Sequence, residues 1–126
     1  YDFDAAAVVL ERLPEVRNHV DGFVRRLAEG DRFAEVVHVL AAMTDIPLET
    51  MKHLLVSLDT NPFAVIARAL ALKTDTVREL LSTGPWIHRL TDRSRDAAIV
   101  AFRALDPEEA QAQVRDWVAC ETAGYA

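Results

Sequence analysis

Cysteine occurs once in 126 residues, at Cys120, so no internal disulfide forms and the fold rests on packing alone. A single thiol suits a reducing cytoplasm, the expected location. Glycine is scarce at four, and Gly22, Gly30, Gly84 and Gly124 stand isolated, which excludes a glycine-rich phosphate cradle. The five prolines fall at segment starts, so connections are short. No unbroken apolar run exceeds the six residues of Ala5 to Leu10, far below the ~20 that a membrane-spanning helix needs. No signal peptide is visible. Tyr1 rather than methionine opens the chain, which points to a fragment of a longer protein.

Chemistry-bearing patterns are equally sparse. His19, His38, His53 and His88 form no i, i+4 pair and no His-x-x-Glu-His arrangement, and one cysteine offers no zinc framework. No metal or cofactor is expected, and His38, in an apolar stretch, reads as a core residue. Ser57, Ser82, Ser94 and Cys120 lack the strained elbow that exposes a nucleophile. Glu108 and Glu109 adjoin each other but already serve a helix start. The chain is therefore not expected to be an enzyme.

What the chain does contain is a helix-turn-helix pattern written twice, 26 positions apart. One copy runs from Leu40 to Leu55 through Thr44-Asp45-Ile46-Pro47, the other from Ile66 to Leu81 through Leu70-Ala71-Leu72-Lys73-Thr74. Each has an apolar stripe and closes on Thr-apolar-basic-x-Leu-Leu, the signature of helical pairs that bury their stripes against neighbours. No strand signal competes: period-two alternation is short-lived and there is no Asn-Gly or Asp-Gly turn.

Helix signals recur along the whole chain. An alanine-rich helix over 3–12 ends before Pro14. A second, over 14–29, carries Val16, Val20, Phe23, Val24 and Leu27 and stops at Gly30. A third over 32–43 uses Phe33, Val36, Val37, Leu40 and Met43, and a fourth from Pro47 buries Leu48, Met51, Leu54, Leu55 and Leu58. Asn61 caps a fifth through Phe63, Ile66, Ala67 and Leu70. Thr74 caps a sixth with Val77, Leu80 and Leu81. Residues 84–90 read as a connector anchored by Trp86 and Ile87. A seventh, near 93–104, holds Ala98, Ile99, Phe102 and Leu105. Asp106-Pro107-Glu108-Glu109 is a capping box for an eighth that buries Ala110, Val114, Trp117 and Val118. The expected fold is all-α: one domain over 1–120, a compact array of about eight short helices with tandem pairs at 32–58 and 61–83, packed as a right-angle bundle or HEAT-like. Residues 121–126 are expected to fray.

Net charge is −6, unevenly spread. Residues 60–105 hold seven basic and four acidic side chains, whereas the flanking segments are acidic. An acidic whole disfavours nonspecific nucleic-acid binding, which phosphate neutralisation drives. The basic middle keeps one DNA reading open, because Ile66, Ala67, Leu72, Thr74, Thr76, Val77 and Leu81 match a DNA-binding helix-turn-helix. Its groove-facing residues would be Lys73, Thr74 and Arg78, with Asp75 and Glu79 beside them, and Arg89, Arg93 and Arg95 would reach phosphates. Against it, Ala71 stands where such turns carry glycine, and Asp75 and Glu79 have the wrong sign for phosphate.

The leading expectation is a cytoplasmic, non-enzymatic module that binds another protein of unknown identity, or itself as a homodimer. Serial helical pairs make faces and grooves that suit partner helices. Trp86, Arg89 and Arg93 are its candidate partner-binding residues, with Trp117 and Tyr125 as further aromatic candidates. Trp117 reads as core, while Trp86, in a Gly-Pro connector, suits core and interface equally. A small-molecule sensor is a third option for which the sequence names no ligand.

The stretches Ile46-Pro47-Leu48-Glu49-Thr50-Met51-Lys52-His53-Leu54-Leu55 and Ala69 to Leu81, with the Asp-Pro-Glu-Glu helix start, resemble a bacterial family classed as a domain of unknown function, number 2336, common in alphaproteobacteria. The resemblance covers the middle and end of the chain. It implies an all-helical, repeat-bearing protein of which this chain is a carboxy-terminal portion, and it brings no known activity or cofactor.

Overall fold

The computed structural model describes residues 2–12, 14, 18–56 and 59–123. Among them are nine α-helices, one 3-10 segment and no strand. Helix α1 (Phe3–Ala6) starts where Asp2 Oδ1 accepts from the Ala5 N–H at 3.0 Å. It does not continue to residue 12 as one helix, because Ala7–Arg12 tightens into a 3-10 segment. Pro14 limits how far an α register can run, because its ring would strike the carbonyl of residue 10.

Helix α2 (Val20–Glu29) buries Phe23, Val24, Leu27 and Ala28. The helix expected over 14–29 is not continuous, since α2 begins at Val20 after a break at Asn18-His19; Val16 and Leu58, two expected core positions, lie outside the described residues. Helix α3 (Phe33–Thr44) buries residues on every side, as a helix apolar all round must. His38 belongs to that core, and its Nε2–H donates to the Phe3 carbonyl at 2.6 Å, fastening α1 to α3. Helix α4 (Leu48–Val56) follows Pro47 and buries Met51 and Leu55.

Helix α5 (Asn61–Ala69) is the hub. Phe63, Ala64, Val65, Ile66 and Ala67 are all buried, and α4, α8 and α9 pack around it. Its cap is not Asn61, which is already helical: the Asn61 N–H donates to Asp59 Oδ1 at 2.9 Å. Helix α6 (Thr74–Leu80) likewise starts one residue earlier than a Thr74 cap allows, with Lys73 in the cap position. Residues 86–89, expected as connector, form the one-turn helix α7 (Trp86–Arg89). Thr91 caps α8 (Asp92–Ala104) by accepting from the Ser94 N–H at 3.0 Å. Asp106 Oδ2 accepts from the Glu109 N–H at 3.0 Å and so starts α9 (Pro107–Ala123) as the Asp-Pro-Glu-Glu pattern predicts. Helix α9 stays regular three residues past Cys120, beyond the boundary expected for a frayed tail.

Left-handed residues set the turns. Asp31, Asp45, Ala71 and Gly84 have φ of 54°, 64°, 58° and 58°. After α2 and after α5 the same closure appears: Asp31 N donates to Ala28 O and Arg32 N to Leu27 O, while Ala71 N donates to Arg68 O and Leu72 N to Ala67 O. This satisfies carbonyls that a helix end otherwise leaves unpaired. Asp45 and Ala71 lie 26 positions apart, each followed by a buried aliphatic, Ile46 or Leu72.

Ala71 and Gly84 predict opposite responses. A left-handed residue with a Cβ costs about 1–2 kcal/mol, so Ala71→Gly should raise unfolding stability by about 0.5–1 kcal/mol after the entropy of glycine is deducted. At Gly84 an added Cβ would sit 2.6 Å from the Phe33 ring. Gly84→Ala should therefore lose about 3 kcal/mol or more, the backbone and overpacking costs together. Urea melts of both variants check the pair of signs.

Candidate interaction surface

The residues expected to read DNA are placed by α2, α5, α6 and α8. Helix α6 lies between α2 and α8. Its start is fixed from outside, because the Lys73 N–H donates to Asp21 Oδ1 on α2 at 2.7 Å. Thr76, Val77 and Leu80 face inward, leaving Lys73, Asp75 and Arg78 exposed, with Thr74 and Glu79 half-buried. Arg78 Nη1 pairs across to Asp96 Oδ1 on α8 at 3.3 Å. The outward side of α6 thus mixes both signs.

Arg95 is not disposed for phosphate. Its side chain is only 13% exposed; Nε donates to the Leu81 carbonyl at 3.0 Å, Nη2 approaches the Leu90 carbonyl at 3.4 Å, and Nη1 pairs with Asp92 at 3.1 Å. It ties the end of α6 to the start of α8. Arg89 Nη1 likewise donates to the Val56 carbonyl at 2.7 Å, joining α7 to the end of α4. Arg93 is exposed and forms no ion pair among the described residues.

Trp86 is a core residue rather than a surface anchor. It is 2% exposed, stacked edge-on to Phe33 with centroids 5.7 Å apart and tilted on Phe63 at 4.9 Å. Its indole N–H and the Thr76 hydroxyl are buried without a hydrogen-bond partner among the described residues, a cost of about 1–3 kcal/mol each. Ile87, the next residue, turns outward at 50% exposure. Trp117 is half-buried against the core, and Tyr125 lies outside the described residues.

Other surfaces offer little chemistry. A cleft of about 390 Å³ between the 3-10 segment and α2 has an apolar floor that includes Val9, Phe23 and Leu27. Its rim carries Arg12, Arg26 and Arg32 but also Glu11 and Glu35, and Arg32 is already paired with Glu35 at 2.6 Å. Lys52 donates to Glu49 at 2.9 Å, and that hydrogen bond and the ammonium charge hold the Glu49 carboxyl below its usual range. The same ammonium lies 4.3 Å above the Phe3 ring, a second fastening for α1. The described residues contain no group of three or more potential metal ligands, and no described helix is long and apolar enough to cross a membrane.

The feature that stands out is the outward side of α8. Ala98, Ile99 and Phe102 point into the core. Ala97, Val100, Ala101 and Ala104 are exposed on the other side, with Val100 at 68%. Their spacing of i, i+3, i+4 and i+7 makes a second apolar stripe. The unbroken apolar run Ala97 to Phe102 carried this signal: a helix with one buried face does not need six consecutive apolar residues.

A family described as "Uncharacterised protein conserved in bacteria (DUF2336)" matches residues 2–115. The chain belongs to this family. The DUF2336 match takes in α1, the 3-10 segment and α2 as well as the middle and end to which the local motifs point. No curated protein and no solved structure matches the chain.

The two exposed-looking arginines of α8 should behave differently. Arg95→Ala removes charge-assisted bonds to two carbonyls and should cost about 2 kcal/mol. Arg93→Ala should stay within about 0.5 kcal/mol of the parent, as surface changes do. Parallel thermal and urea melts distinguish them.

Proposed function

We propose that this DUF2336 protein is a cytoplasmic, non-catalytic helical module, built from the tandem pairs 32–58 and 61–83, that acts by binding a protein, either a different one or a second copy of itself, through the outward side of α8. The exposure of Val100 amid three exposed alanines carries this reading. Scattered exposed apolar residues are ordinary, but a contiguous stripe at helical spacing is the pattern that a partner helix reads as anchors.

A photo-crosslinking residue in place of Val100, expressed in bacterial cells, tests the face directly. Adducts with protein should form from position 100 and not from the control position Glu29. Absence of any adduct from position 100 would retire α8 as the contact face.

DNA binding through α6 is the second reading, favoured by the left-handed turn at Ala71 between α5 and α6. The mixed charge of Lys73, Asp75, Arg78 and Glu79 opposes it, because affinity for phosphate needs net cationic contact. Mixed genomic fragments should therefore not be retained even at low salt. Retention that falls steeply with salt and weakens in Lys73→Ala and Arg78→Ala would reverse the order of the two readings.

A further inference from the structure

Resting on the reading of α8 as a contact face, we propose that its occupant is a second copy of this chain, with the two α8 helices antiparallel about a two-fold axis near Val100. The charges beside the stripe are self-complementary in that arrangement and in no parallel one. At 100° per residue, Asp96 and Arg103 fall on one flank of the stripe, seven positions apart, Ser94 falls on the other, and Arg93 lies in line with the stripe near the helix start. Two-fold symmetry makes residue i meet j wherever j meets i, and an antiparallel helix pair brings each flank against its own counterpart. Asp96 of each copy then faces Arg103 of the other, giving two identical ion pairs that bracket Val100. A parallel pair would set this flank against the one that carries Ser94 and leave both charges unmatched.

Three observations suit this occupant. Arg103 is exposed and makes no ion pair among the described residues, so its guanidinium is available. Among the described residues Asp96, which is exposed, carries only the 3.3 Å contact with Arg78 on one oxygen, which leaves acceptor capacity on the carboxylate. Ala97, Ala101 and Ala104 keep the surface low, so two helix axes can close to about 8 Å, the near end of the normal range, with the Val100 pair filling the centre. A contact built on one helix of 13 residues is about 20 Å long. It buries well under the roughly 800 Å² per partner of a standard stable interface. The assembly is accordingly a weak, reversible dimer with a dissociation constant in the micromolar range or above.

Sedimentation equilibrium of the full chain over a wide concentration range tests this. The average mass should climb from one chain towards two as concentration rises. Val100→Glu should hold the protein monomeric with an unchanged thermal melt, because the site is exposed. Asp96→Arg, which opposes two arginines, should weaken self-affinity by about tenfold or more, and the reversal pair Asp96→Arg with Arg103→Asp should restore it. A monomer at every concentration, a dimer indifferent to Val100→Glu, or failure of the double reversal to recover affinity would each overturn self-pairing. Those results leave the contact-face reading standing if position 100 crosslinks to a different protein in cells, and absence of any adduct removes both.

Discussion

Burial of α5 on all sides is the constraint from which the rest of the arrangement follows. Five consecutive residues from Phe63 to Ala67 are out of water, and no neighbour can cover a helix on every side alone. Helices α4, α8 and α9 therefore surround it. Because α8 spends Ala98, Ile99 and Phe102 on this task, its opposite side is necessarily turned to solvent, and whatever apolar residues stand there are free to meet another surface. The contact face and the hub are two consequences of one packing problem. Arg68, which leaves the hub towards the α8–α9 corner, reinforces it: Nε donates to the Leu105 carbonyl at 2.9 Å and the guanidinium lies 5.5 Å from the Phe102 ring centre.

Several charged side chains close the fold. Arg68, Arg89 and Arg95 each bond a backbone carbonyl from a distant turn or helix end, and Asp21 and Asp59 each accept from a backbone N–H. Helix termini and turns leave polar groups that cannot pair within their own helix, and an array of short helices has many such termini. Three of the seven cations of residues 60–105 are held on carbonyls in this way, which fixes where their side chains lie.

The helices and most of the core were legible from periodicity, since stripes such as Phe23, Val24 and Leu27 or Val77 and Leu80 repeat at helical spacing and bury as expected. Caps at Asp106 and the helix start at Pro47 followed from local chemistry. Family membership was also readable, because Ile46 to Leu55 and Ala69 to Leu81 carry recognisable runs. Single-turn and 3-10 elements were not legible: four residues from Trp86 to Arg89 show no full period, and the side-chain pattern over Ala7–Arg12 does not separate α from 3-10. The direction of Trp86 depended on Phe33 and Phe63, far away in sequence, and no local pattern reports such a pairing. The fates of Arg89 and Arg95 were hidden for the same reason, as their acceptors are backbone carbonyls that only the tertiary fold brings near.

The bonds that α2 makes with the second half of the chain have a kinetic meaning. Asp21 reaches Lys73 across 52 residues, and the Thr83 hydroxyl reaches the Ala28 carbonyl across 55. Closing a loop of that length costs entropy before any contact repays it, whereas α3 with α4 and α4 with α5 meet through short connections. Helix α2 meets α3 through an equally short turn, so local contacts join α2 to α5 in series and the closure of α2 onto α6 is the long-range step that comes after them.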